Sequence, residues 1–166
     1  MKKRIIEASV LLAALCMACS VFASQTDEHF LQGYKLGMAR KWLEAIDHYS
    51  KTIAADPQHV EAHFQRAVTL EMVNRTPEAI ADYEKVVSFR PDHYLAVEYL
   101  ARAYDKVGDY QKALDTYNRA LNLTKNAKWK SIIQWWMARA KQNLQSGKRP
   151  DNDSRAGQPD AQTPVN

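Results

Sequence analysis

A chain of 166 residues with 46% hydrophobic and 25% charged residues can bury one sizeable core and is too short for two comfortable domains. Five glycines and six prolines exclude a fold made of many tight turns, and most of them stand at the ends of apolar-periodic stretches, as helix boundaries require. The net charge of +4 says little about partners, because it drops to +2 once Lys2, Lys3, Arg4 and Glu7 leave with the first segment.

That first segment reads as an export signal. Met1-Lys2-Lys3-Arg4 is a basic start, and the 15 residues from Ala8 to Phe22 are apolar except for Ser9 and Ser20, a run short for spanning a bilayer. Val21-Phe22-Ala23 places small or branched residues three and one before Ser24, so residues 1–23 are expected to be a signal peptide and the chain to be periplasmic. A second reading stays open. Ala18-Cys19 closes the apolar run as in the lipid-attachment box of bacterial lipoproteins, which would anchor the chain in the envelope membrane through Cys19; that box prefers an aliphatic residue where Cys16 stands. Cleavage before Ser24 removes both cysteines, so stability must come from packing and not from a disulfide.

From Thr26 onward the chain matches itself at an offset of 34, without gaps, over residues 26–59, 60–93 and 94–127. Each unit splits into two helical stretches, the second with an apolar face at i, i+3 or i+4, and i+7. Ala45, Ala79 and Ala113 are small where helices must approach, and Tyr49, Tyr83 and Tyr117 follow one turn later on the same face. Thr76 before Pro77 predicts an N-cap, Gly108-Asp109 a left-handed helix end and a cap, and Pro57 and Pro91 the boundaries between units.

These features resemble the tetratricopeptide repeat family. Gly33, Ala67 and Ala101 stand at its eighth place, the three alanines above at its twentieth and the three tyrosines at its twenty-fourth. Departures are Leu36 and Leu70 at the aromatic eleventh place and Lys125 in place of the third proline. The first unit is the loosest, with His29 and Gln32 at its fourth and seventh places, as terminal units of a stack tend to be. The resemblance implies an all-α, right-handed superhelical solenoid of antiparallel helix hairpins. Trp129, Ile132, Ile133, Trp136, Met137, Ala140 and Leu144 keep the spacing of an amphipathic capping helix over 128–145, which would complete a repeat domain over 24–145. Residues 146–166 turn polar and aperiodic and are expected to be a disordered tail.

The resemblance also implies a concave groove lined by the first helix of each repeat. Its places are filled by Phe30, Tyr34 and Met38, then Phe64, Val68 and Met72, then Leu95, Glu98 and Arg102, so it is expected to be apolar early and charged late. The expected partner is a protein or peptide and not a nucleic acid. Relatives that clamp a chaperone's terminal carboxylate use lysine, arginine and asparagine where this chain has Phe30, Tyr34, Gln65, Leu95 and Tyr99, so that clamp is absent.

Between Thr116 and Pro150 stand eight basic residues and no acidic one, with Trp135 off the apolar stripe. This reads either as a solvated face with Trp135 stacked on Arg139 or as a peripheral contact with anionic lipid or an acidic partner. His59 and His63 at i, i+4 are a weak metal signal without a third ligand in any motif, and no phosphate loop, nucleophile elbow or metalloprotease motif occurs. No cofactor or catalysis is expected.

Overall fold

The computed structural model describes residues 26–147; the signal segment with Cys19, and the tail beyond 147, lie outside them. Among the described residues there are seven helices and no strand. Helix α1 covers residues 26–38. It is followed by α2 (Trp42–Ala55), α3 (Val60–Met72), α4 (Thr76–Phe89), α5 (Tyr94–Val107), α6 (Tyr110–Leu123) and α7 (Ala127–Ser146).

The 34-residue grid reappears in the helix bounds: α2, α4 and α6 begin at Trp42, Thr76 and Tyr110 and end at Ala55, Phe89 and Leu123. It reappears in the turns. Arg40, Asn74 and Gly108 hold the left-handed backbone at φ 59°, 59° and 86°, one per repeat. In the first and third repeats the next N–H reaches back over the helix end, Lys41 to the Leu36 carbonyl at 2.9 Å and Asp109 to that of Tyr104 at 3.0 Å. This closes each helix in the Schellman manner and aims the chain into the following one.

Helix starts have local causes as well. Asp109 caps α6 by accepting from the Lys112 N–H, and Asn126 caps α7 by accepting from Lys128 and Trp129. His59 and His93 cap α3 and α5, each ring Nδ1 accepting a backbone N–H at 3.1 Å, from Ala62 and Ala96. The cap of α4 falls on Arg75 and not on Thr76, because the Arg75 carbonyl already accepts from the Ala79 N–H at 3.1 Å and so places Thr76 inside the helix.

The described residues fall into two compact units that divide between Val73 and Asn74. In the first, α2 packs on α3, with Ala45, Tyr49, Ala62, Ala67 and Leu70 buried. In the second, α4 packs on α5, α5 on α6 and α6 on α7. Tyr83 stacks on Tyr99 and Tyr117 on Trp136, both pairs at 5.9 Å between ring centroids. Tyr49, Tyr83 and Tyr117 are among the largest fully buried side chains, and all three repeat alanines at the twentieth place are sealed. A side chain of this size contributes roughly 2–3 kcal/mol on burial, so the recurring tyrosines are principal contributors to core stability.

Candidate functional site

In the first unit the groove places of α1 and α3 are built around Tyr49. Phe30 lies 5.9 Å from the Tyr49 ring and 5.0 Å from the His59 ring, half-buried between core and surface. Phe64 is buried and Val68 half-buried, whereas Tyr34, Met38 and Met72 are 46%, 74% and 55% exposed. Helical spacing puts Tyr34 and Met38 on one face of α1, and Phe64, Val68 and Met72 on one face of α3. The Tyr49 hydroxyl stands 3.7 Å from the Cβ position of Gly37. Burial first, and then the nearby Tyr34 and Glu61, push the Tyr49 phenol up to about 12, so it stays neutral. Glu61, in the first turn of α3, accepts from the Gln65 amide at 2.8 Å.

The groove places of α5 in the second unit differ in kind. Leu95 is exposed, Glu98 is buried and Arg102 is partly exposed. Arg102 lies 3.7 Å from the Glu98 carboxylate, and its guanidinium stands 5.3 Å from the Tyr99 ring centroid and 5.2 Å from that of Trp136. Asp105, one turn beyond Arg102 at 4% exposure, pairs with Arg139 of α7 at 2.5 Å. Trp135 stacks on that same guanidinium at 5.4 Å, the bland alternative read from its spacing. Burial raises the Glu98 carboxyl above its ordinary range, although Arg102 and the Tyr94 hydroxyl pull it down.

Sequence reasoning missed the part α7 plays here. Counted from its cap at Asn126, α7 presents Lys128, Trp135 and Arg139 at the places where α5 presents Leu95, Arg102 and Lys106, so α7 repeats the pattern of α5 within the second unit. The available signal was the break in the apolar stripe at Trp135. Three histidines are engaged locally, His59 and His93 as caps of α3 and α5 and the buried His63 with its ring 3.2 Å from the Pro57 carbonyl, and the rings of His29 and His48 are 5.5 Å apart. Among the described residues no group of three or more His, Cys, Asp or Glu is placed to hold a metal.

Two family models described as tetratricopeptide repeat match the chain, at residues 48–81 and 72–141. No curated protein matches it. Among solved structures it resembles the first TPR of Spaghetti (RPAP3) bound to an HSP90 peptide, with 22% identity, 74% of this chain and 94% of that one covered, and a TM-score of 0.65. The TPR2B domain of yeast Sti1 in its pHsp70 complex is 26% identical over 72% of this chain and 98% of its own, with a TM-score of 0.63. The Sgt2 TPR domain from Aspergillus fumigatus is 20% identical over 80% and 91%, with a TM-score of 0.65. The matched residues run without interruption from 48 to 141 and coincide with the helix hairpins described above: the chain carries tetratricopeptide repeats.

Proposed function

We propose that this protein is a non-catalytic interaction scaffold of a bacterial cell envelope that holds a peptide or a partner helix on the apolar face of α1 and α3. The observation that carries the reading is the exposure of Tyr34, Met38 and Met72 at groove places, since large apolar side chains left in water on one face mark interaction sites and methionine repacks against varied surfaces. Solved relatives named as peptide complexes lend it support. The test is affinity capture from the native envelope with the wild type and with Y34A/M38A/M72A, whose truncations are on exposed side chains and are expected to leave far-UV circular dichroism unchanged. A partner held by the wild type and lost by the triple variant supports the reading; identical recovery refutes it.

The export reading rests on the basic start, the apolar run and Val21-Phe22-Ala23. The lipoprotein alternative rests on Ala18-Cys19 and makes the scaffold membrane-associated. Mass spectrometry of the mature N-terminus decides between them: a free Ser24 amine fits soluble export, and a diacylglyceryl Cys19 fits the anchor.

A further inference from the structure

Helices α5 and α7 carry only two acidic residues, Glu98 and Asp105, and both are buried, at 3% and 4% exposure. Their basic residues remain accessible. The side chains of Arg102 and Arg139, which cover those carboxylates, retain 39% and 28% exposure. Lys106 lies one turn beyond Arg102 on α5, and Lys128 two turns before Trp135 on α7, on the same faces. Water therefore meets only positive charge on these two helices.

The two guanidiniums are also fixed in place. Arg102 is held between the Tyr99 and Trp136 rings and Arg139 against Trp135, each tied beneath to a buried carboxylate. A guanidinium offers five donors in a planar fork, and the buried acids use only part of them. Both side chains stay partly accessible while the ring contacts already restrict them, which lowers the cost of binding a carboxylate.

We propose that the α5–α7 face is a docking surface for an acidic peptide segment, whose Asp or Glu carboxylates engage Arg102 and Arg139 beside the Trp135 indole. This deepens the scaffold reading and rests on it, by naming the chemistry of a partner's charged part. Arg102, Arg139 and Trp135 are not themselves places of the chaperone carboxylate clamp in relatives, although Arg102 stacks on Tyr99, which is one. A peptide fits better than an anionic membrane because clamped guanidiniums cannot extend to follow a flat layer of headgroups, as free lysines do.

The experiment uses a fluorescein-labelled Glu-Gly repeat peptide, its Gln-Gly counterpart and vesicles containing phosphatidylglycerol, with the mature chain. The expected result is a rise in anisotropy for the Glu peptide alone, weakened by salt, with shifts of the Trp135 indole N–H and of α5 and α7 amides in NMR spectra. Replacing Arg102 or Arg139 leaves a buried carboxylate unpaired and endangers the fold, so the variant is K106Q/K128Q, expected to bind the Glu peptide about five-fold more weakly. Equal binding of the Gln peptide, shifts confined to other helices, or binding of vesicles without binding of the Glu peptide would each overturn the proposal. The Y34A/M38A/M72A variant is expected to bind the Glu peptide as the wild type does. If that variant loses a cellular partner while the wild type ignores the Glu peptide, this proposal falls and the scaffold reading stands.

Discussion

The Tyr49 ring lies over Gly33 so closely that a Cβ on Gly33 would stand 2.9 Å from two of its ring carbons. Tyr49 is buried at 2% exposure and has no room to retreat. Gly33→Ala is therefore expected to destabilise the chain by about 1–3 kcal/mol through overpacking. Gly37→Ala, whose Cβ would meet only the Tyr49 hydroxyl at 3.7 Å, is expected to be neutral or to stabilise by up to about 1 kcal/mol, because alanine is the better helix former. Urea denaturation of the two variants checks the contrast, and equal effects would contradict it.

The left-handed turns make a graded series. Gly108 bears φ 86° at no steric cost, Asn74 bears φ 59° with a tolerant side chain, and Arg40 bears the same angle with a long one. Arg40→Gly is expected to raise stability by about 0.5–1 kcal/mol, Asn74→Gly by less, and Gly108→Ala to lower it by about 1 kcal/mol. Thermal melts that order the three otherwise would show that side-chain contacts, and not φ, govern these turns.

Two buried tyrosines should respond in opposite ways to loss of their hydroxyl. The Tyr117 oxygen is buried with no hydrogen-bond partner among the described residues, while the Tyr104 hydroxyl donates to Glu84. Tyr117→Phe is expected to be neutral or stabilising, and Tyr104→Phe to cost about 1 kcal/mol. A larger loss for Tyr117→Phe would refute the assignment.

Glu98 makes stability depend on pH. Burial, the largest influence on it, raises its carboxyl above the ordinary value, so folding favours the protonated form. Its contribution is greatest in acid and declines as pH rises through the ordinary carboxylate range toward the raised folded value. The stability of the wild type relative to Glu98→Gln is expected to fall over the interval in which pH rises through and above the ordinary carboxylate range. A difference that stays constant or grows over that interval would contradict the burial argument.

The architecture was legible because a period of 34 repeats the same packing problem: a small Ala45, Ala79 or Ala113 beside a Tyr49, Tyr83 or Tyr117. Those pairs are the core, and the α2, α4 and α6 starts keep the same spacing. The third turn was legible from Gly108, whereas Arg40 carries no local signal, since its left-handed φ is imposed by the helix end it closes. The caps at His59 and His93 were readable only in the recurrence of histidine at one repeat place, because histidine is not a common cap. The groove places of α5 were the hardest to read. Position within a repeat gives the direction of Glu98 but not its burial, which depends on what packs over α5, and the Asp105–Arg139 pair joins residues 34 apart through a helix that lies outside the three repeats.

The central claim is that the α1 and α3 face carrying Met38 and Met72 is where a partner sits. Both thioethers are exposed enough for mild peroxide to reach, at 74% and 55%, and their conversion to sulfoxide can be followed residue by residue in mass spectra. With the captured partner bound, oxidation of Met38 and Met72 is expected to slow at least several-fold. Oxidation of both at the unbound rate, in a complex shown to be intact, would contradict the account.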